Sequence, residues 1–246
     1  MCRSPLPPGP EKVVEETTRR YVAVAQRVAR GESTWSALSP AARREFDHAF
    51  TAMRTAAEQG FMMAQMNLAI FFESGTGVVQ NYEEAARWYE KAADQGYVDA
   101  QFNLGLMFEQ GRGVTKNPAI AARWFEMAAE QGDADAQNNL GSCFEHGRGV
   151  VQSDVEAARM WRKAADQGHA MAQCNLGIMF EDGRGVESSA EEAVRWYKMS
   201  ADNGNAKAQI FLVFRYEAGN GVPQSNEKAV RYFTKAARRG HRHYCA

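Results

Sequence analysis

The chain has 246 residues, of which 45% are hydrophobic and 24% are charged, and its formal net charge at pH 7 is −1. This composition is typical of a globular protein with a large buried core. The charge lacks the basic excess of a nucleic-acid-binding domain, and no apolar run approaches the roughly 18 residues of a membrane span. We therefore expect no nucleic-acid partner and no membrane insertion. The start, MCRSPLPPGP, lacks the apolar core of a signal peptide, so we expect an intracellular, cytoplasmic protein.

The first sixty residues predict a helical cap. Residues 1–10 contain four prolines, which predicts a disordered start. A first helix is expected from Glu11 to about Arg30. A second is expected from Ser39-Pro40, an N-cap followed by a proline at the first helical position, to Gln59. Its end, AAEQG, matches the AADQG that closes a later helix, so residues 11–60 are interpreted as a degenerate repeat.

From residue 61 the chain repeats itself every 36 residues. Ala-Gln pairs begin at 64, 100, 136, 172 and 208, and Gly-x-Gly-Val elements begin at 75, 111, 147, 183 and 219. Five ungapped units follow, 61–96, 97–132, 133–168, 169–204 and 205–240, with residues 241–246 as a C-terminal tail.

Each unit predicts two helices joined by a glycine turn. In the first unit, Ala64, Leu68 and Phe72 fall on one helical face, and a second amphipathic stripe begins after the capping residue Asn81. The first glycine of the turn is expected to end a helix, and the second to let the chain reverse. A phosphate-binding loop would need a preceding strand and a following Lys-Ser/Thr, so the turn is interpreted as structural.

One helix pair cannot bury both of its apolar stripes, so neighbouring pairs must stack. The predicted fold is all-α, a right-handed α-solenoid of antiparallel helix pairs with five 36-residue repeats and an N-terminal helical cap. The glycines inside the first helices, Gly105, Gly141 and Gly177, predict a close approach between helices, because glycine costs about 1 kcal/mol there relative to alanine.

The repeated pattern AQxxLGxxFExGRGVxxxxxxAxxWYxKAAxxG, as in residues 100–132, resembles the Sel1-like repeat, a relative of the tetratricopeptide repeat. The resemblance covers residues 61–240, about three quarters of the chain. It implies a scaffold that binds other proteins or peptides through its first helices, which line the concave surface in this superfamily. Some bacterial relatives are secreted with one disulfide per repeat, but the four cysteines of this chain do not follow that spacing.

Candidate catalytic and metal-binding groups have simpler interpretations. Cys143 and His146 lie three residues apart on a helix, but Cys143 belongs to an apolar core column. The tail residues His241, His243 and Cys245 lack the fourth ligand of a structural zinc site. We therefore predict no catalytic residue, no metal and no cofactor.

Three sets of recurring side chains predict packing and ion pairs. Four tryptophans are expected to pack between helices: Trp88, Trp124, Trp161 and Trp196. One glutamate and one arginine per unit predict a repeated structural ion-pair ladder, with the alternative that one row clamps the opposite charge of a ligand. These rows are Glu73, Glu109, Glu145, Glu181 and Glu217, and Arg87, Arg123, Arg159, Arg195 and Arg231.

Off the core stripe, the first helices carry a candidate peptide-binding surface. Its hypothesised residues are Asn67, Asn103, Asn139, Asn175, Met66, Phe102, Leu106 and Ile178. Asparagine amides offer the donors and the acceptor that bind the backbone of an extended peptide. The alternative is that these asparagines bond between neighbouring helices.

The last unit predicts a C-terminal docking surface, because its apolar residues replace polar ones of earlier units. The hypothesised residues are Phe211, Val213, Phe214, Tyr232 and Phe233. The sequence thus predicts a non-catalytic adaptor or assembly scaffold that binds a protein segment in the concave groove. Self-association or a place in a complex through the C-terminal end is also expected. The alternatives are a structural subunit buried in a large complex, and a small-molecule-binding or hydrolytic module.

Overall fold

A computed structural model describes residues 39–238, together with Glu16 and Arg19, which are both helical. The predicted disordered start, most of the first cap helix and the C-terminal tail lie outside the described residues. The chain divides into two compact units, an N-terminal unit of residues 1–117 and a C-terminal unit of residues 118–246.

Residues 39–238 form eleven α-helices and no strand, so this part of the chain is an all-α solenoid of tandem helices. The N-terminal unit contains α1 (Pro40–Glu58), α2 (Met62–Ser74), α3 (Tyr82–Asp94) and α4 (Val98–Gln110). The C-terminal unit contains α5 (Pro118–Glu130), α6 (Ala134–His146), α7 (Asp154–Asp166), α8 (Ala170–Asp182), α9 (Ala190–Asp202), α10 (Ala206–Ala218) and α11 (Asn226–Arg238). The even-numbered helices are the first helices of the repeats, and α3, α5, α7, α9 and α11 are the second helices. Across residues 39–238, no helix combines the length and the apolar character needed to cross a membrane.

The helices begin where the sequence predicts N-caps. Ser39 accepts a hydrogen bond from the Ala42 amide at 3.2 Å, and the Asn81 side chain accepts from the amides of α3. The first helices of the C-terminal unit are capped by side chains as well, which was not predicted from the sequence. His169 accepts from the Ala172 amide at 3.1 Å through Nδ1, and Asn205 caps α10 in the same way.

In the C-terminal unit, small residues let the two helices of a repeat approach closely. A Cβ added at Gly141 would lie 2.7 Å from Trp161 Nε1, and one added at Gly177 would lie 2.6 Å from the Tyr197 ring. The predicted close approach is therefore confirmed at these two glycines. Trp161 is almost fully buried against Gly141, so the expected packing of tryptophan between helices is confirmed there, although Trp161 lies one residue later in the repeat than the other three tryptophans.

The glycine turn has two glycines with different roles. Gly183 ends α8 in the left-handed conformation, with φ of 68°. Gly185, with φ of 66°, lies against the start of α7, because an added Cβ would be 2.2 Å from the Asp154 carbonyl oxygen. The turn therefore reverses the chain and also seats each repeat on the second helix of the repeat before it.

Candidate functional site

Buried glutamines join each first helix to the second helix before it. In five repeats the Nε2 group donates to a carbonyl eight residues earlier, at 3.0 to 3.2 Å. The pairs are Gln65–Ala57, Gln101–Ala93, Gln137–Ala129, Gln173–Ala165 and Gln209–Ala201. From the sequence, the glutamine column was expected only to mark the period, although a glutamine that recurs beside an alanine in every repeat is a signal of such a bond. These side chains hold the repeats together and are not available to a ligand.

The glutamates that close the first helices make contacts between repeats. In the N-terminal unit, Glu73 accepts from the Tyr89 hydroxyl at 2.6 Å and pairs with Arg112 at 3.3 Å. In the C-terminal unit, Glu145 pairs with Arg184 at 2.9 Å. Burial raises the pKa of the Tyr89 hydroxyl, and its hydrogen bond to Glu73 adds to that rise.

The predicted ion-pair ladder between this glutamate row and the arginines of the second helices is therefore wrong in its partners. Glu73 and Glu145 pair with arginines of the following glycine turn, whereas Glu181 pairs with Arg215 on α10. The arginines of the second helices pair within their own helix instead: Arg87 with Glu84 at 3.0 Å, Arg159 with Glu156 at 2.6 Å and Arg195 with Glu192 at 3.4 Å.

In the C-terminal unit, three asparagine amides form a chain across two first helices. Asn175 on α8 donates to Asn138 on α6 at 3.4 Å, and Asn138 donates to Asn139 at 3.3 Å. This geometry favours bonding between neighbouring helices. The chain also has free ends, because within the described residues the Asn139 Nδ2 group and the Asn175 Oδ1 atom have no hydrogen-bond partner. Both residues are half-buried and reach the surface.

The apolar residues of the hypothesised peptide surface differ in accessibility. Met66 is buried, with 8% of its surface exposed, so it belongs to the core of the N-terminal unit. Phe102, Leu106 and Ile178 are half-buried. The most exposed large apolar side chain of the first-helix surface in the C-terminal unit is Phe214, at 59%. In the N-terminal unit, Asn67 and Asn103 are also half-buried.

The hypothesised C-terminal docking residues divide into two groups. Phe211 packs on Tyr197 with ring centroids 4.9 Å apart, Tyr232 stacks on Tyr216 at 5.8 Å, and Val213 is buried. Core packing therefore accounts for these three. Phe214 and Phe233 are exposed, and so is Val230 on α11, which was not among the predicted residues.

The candidate catalytic residues Cys143 and His146 have structural contacts, and Cys174 is a second buried thiol. Cys143 and Cys174 are buried, and burial raises the pKa of the Cys174 thiol to about 11. A thiol with such a pKa stays protonated and is a poor nucleophile at neutral pH. His146 contacts the Ser142 carbonyl at 3.0 Å. Over the part of the chain that the structure describes, no group of three or more His, Cys, Asp or Glu side chains is placed to hold a metal ion.

These repeats match a known family model along most of the chain. The model of the Sel1 repeat matches residues 63–97, 98–133, 134–169, 170–205 and 206–241. The chain belongs to the Sel1 repeat family. Sel1 repeat proteins are generally protein–protein interaction modules, and their fold is typically non-catalytic.

Two solved Sel1 structures have sequence identities above 30% to this chain. One is c5321, a protective antigen of uropathogenic Escherichia coli, with 32% identity and a TM-score of 0.79. The match covers 95% of this chain and 49% of c5321, so this chain spans about half of that protein's length. The other is a Sel1 repeat protein from Oxalobacter formigenes, with 35% identity, a TM-score of 0.75, and coverage of 80% of this chain and 82% of that protein.

A more distant structure shares the fold alone. It is the immunity protein PA5088 from Pseudomonas aeruginosa, with 21% identity and a TM-score of 0.53, covering 96% of this chain and 83% of that one. A comparison with curated proteins found no match.

Proposed function

We propose that this protein is a non-catalytic adaptor or assembly scaffold that binds an extended protein segment along its first helices. The observation that carries the proposal is a contrast between positions of the repeat. The glutamine, the glycines and the closing glutamate of the first helix recur because they hold repeats together. In the C-terminal unit, the surface position held by Ser142, Ile178 and Phe214 changes from repeat to repeat. The stability of the fold does not require this variation between repeats, whereas a surface that discriminates between partners does require it.

The free ends of the asparagine chain support an extended peptide as the occupant. Asn139 has Nδ2 protons to donate, and Asn175 has an Oδ1 lone pair to accept a hydrogen bond. One backbone carbonyl and one backbone N–H of a peptide match these two groups. Ile178, three residues after Asn175 on α8, and Phe214 at the same repeat position on α10 supply apolar contacts for its side chains. The interhelix bonds and the peptide hypothesis are therefore compatible, because the same chain that joins α6 to α8 also orients its two ends.

A selection of linear peptides from a displayed library against the full chain tests the proposal. Enriched peptides are expected to bind wild-type protein and to lose about thirtyfold in affinity for Ile178→Lys, because a central apolar anchor contributes about 2 kcal/mol. The control is Val151→Lys, which places the same charge at a position with 88% exposure in a glycine turn. Circular dichroism would establish that both variants are folded. Peptides that bind Ile178→Lys as tightly as wild type, or an empty selection, would overturn the proposal.

The proposal includes an intracellular, reducing setting for the protein. Its support is that Cys143 and Cys174 are buried thiols rather than members of a disulfide. Titration of thiols in protein isolated without reductant and then unfolded should find all four cysteines reactive. A disulfide-linked species would contradict this part of the proposal.

A further inference from the structure

The last second helix, α11, exposes positions that the preceding second helices bury. Val230 is 64% exposed, whereas its counterparts are at most 5% exposed: Ala86, Ala122, Ala158 and Val194. Phe233 is 42% exposed, whereas its counterparts are at most 2% exposed: Tyr89, Phe125, Trp161 and Tyr197. An apolar face that is core in every earlier repeat is therefore at the surface in the last one.

Within the C-terminal unit, the first helix of the next repeat helps to cover this face. α10 packs on α9, where Phe211 contacts the Tyr197 ring and Leu212 joins the same core as Val194. Gln209 donates to the Ala201 carbonyl at 3.2 Å and fixes the register of the two helices. The residue of α11 that corresponds to Ala201 is Ala237. The side chains of Val230 and Phe233 and the carbonyl of Ala237 thus repeat an interface that the same chain builds internally.

We propose that Val230, Phe233 and Ala237, here called the end face, dock an amphipathic helix of a partner protein. That helix has the character of a first helix: a small residue against the end face, a glutamine next to it that donates to the Ala237 carbonyl, and leucine four residues after the small one. In the internal interfaces these positions are filled by residues such as Ala172, Gln173 and Leu176, all almost fully buried.

The chain's own residues beyond α11 do not fit this description. The period of 36 residues puts Tyr244 at the small position and Cys245 at the glutamine position. The small position is fully buried alanine in each earlier repeat, for example Ala208, so a tyrosine ring exceeds its space. A cysteine side chain is too short to make the bond that Gln209 makes. The end face therefore fits a helix from another polypeptide better than it fits the tail.

Fluorescence anisotropy with a labelled synthetic peptide tests the end face on the full chain. The probe is the sequence of residues 133–147 with Cys143→Ser, which carries Ala136, Gln137 and Leu140 in the required spacing. Saturable binding is expected, with at least tenfold weaker binding to Phe233→Asp. A probe with Leu140→Asp should lose at least tenfold as well.

The matched control is Val151→Asp, which puts the same charge on an exposed valine away from the end face and should leave probe binding unchanged. The Ile178→Lys variant should also bind the probe normally, which separates this surface from the peptide site proposed above. Circular dichroism would confirm that Phe233→Asp keeps its helices.

Three results would overturn the proposal. The first is the absence of saturable probe binding, or equal binding to Phe233→Asp. The second is probe binding only after deletion of residues 239–246, which would make the tail the occupant. The third is reversible self-association in light scattering that Phe233→Asp abolishes and the probe does not inhibit, which would make a second copy of the chain the occupant.

Discussion

Arg215 on α10 forms an ion pair with Glu181 on α8 and thereby replaces a contact that an earlier repeat makes through its glycine turn. In that earlier repeat, Glu145 pairs with the turn arginine Arg184 at 2.9 Å. The last turn has Asn220 at the arginine position, and asparagine cannot supply the charge. The cation comes instead from Arg215 on the first helix α10, at a core position where its side chain is only 16% exposed.

The first prediction is that the two arginine positions can substitute for each other. Arg215→Met should lower the free energy of unfolding by about 1 kcal/mol, because the half-buried Glu181 loses its cation. Methionine suits the site, since Met179 occupies the same position one repeat earlier. Adding Asn220→Arg to that variant should recover most of the loss. Urea denaturation of the single and double variants measures the coupling.

The control for this cycle is Asn220→Arg alone, which should change the unfolding free energy by less than about 0.5 kcal/mol because Glu181 is already paired. A double variant that is no more stable than Arg215→Met would show that the turn position cannot reach Glu181.

The second prediction separates two glycines with the same backbone conformation. Gly183 and Gly185 have φ values of 68° and 66°, so alanine at either site carries a similar left-handed penalty of about 1 kcal/mol. At Gly183 the nearest atom to an added Cβ is the Ser188 side chain at 3.2 Å, whereas at Gly185 it is the Asp154 carbonyl oxygen at 2.2 Å. Gly185→Ala should therefore cost about 2 kcal/mol more than Gly183→Ala. Equal decreases in stability for the two variants, measured by thermal or urea unfolding, would show that the backbone at Asp154 moves aside at little cost.

The sequence predicted the helices and turns well because they follow local rules. The N-cap at Ser39, the glycine at Gly183 and the apolar stripe through Leu68 each depend on residues within one or two turns of the chain. The repetition also made the helix boundaries easier to predict, because a pattern that occurs five times leaves little choice of period.

The contacts between repeats were less predictable from sequence. Glu145 and Arg184 are 39 residues apart in the chain. In the sequence, neither position differs from that of a charged side chain that faces solvent. Arg159 was expected in the ladder because it recurs with the 36-residue period, but it pairs with Glu156 on its own helix. Charged side chains are long and flexible, so a repeated position limits the possible partners without selecting one. The exposure of the hypothesised docking residues was also hard to predict from sequence. The burial of Phe211, for example, depends on the ring of Tyr197 in the neighbouring repeat.

The third prediction concerns Gly177, where helix propensity and packing act in opposite directions. Alanine should favour the helix by about 1 kcal/mol, but its Cβ would lie 2.6 Å from the Tyr197 ring in the fully buried core. Overpacking of this kind typically costs 1–3 kcal/mol, so Gly177→Ala should be destabilising by about 1 kcal/mol in urea unfolding. Met171→Ala, at a site on the same helix with 56% exposure, should be neutral or slightly stabilising. If Gly177→Ala were more stable than wild type, α8 and α9 would be able to move apart without losing packing energy.

The fourth prediction is a pH dependence that Tyr197 controls. Its hydroxyl donates to Glu181 at 2.7 Å, and burial, together with that bond, raises its pKa well above the ordinary value of about 10. The folded state therefore keeps this proton at a pH where the unfolded chain loses it. The stability that it supplies is complete below about pH 10 and declines as the pH rises further. At pH 7, Tyr197→Phe should cost about 1 kcal/mol for the lost hydrogen bond. Above pH 10 the difference from wild type should narrow and then reverse, as measured by urea unfolding at a series of pH values. A difference that stays constant from pH 7 to pH 11 would show that Tyr197 ionises as easily in the folded protein as in the unfolded chain.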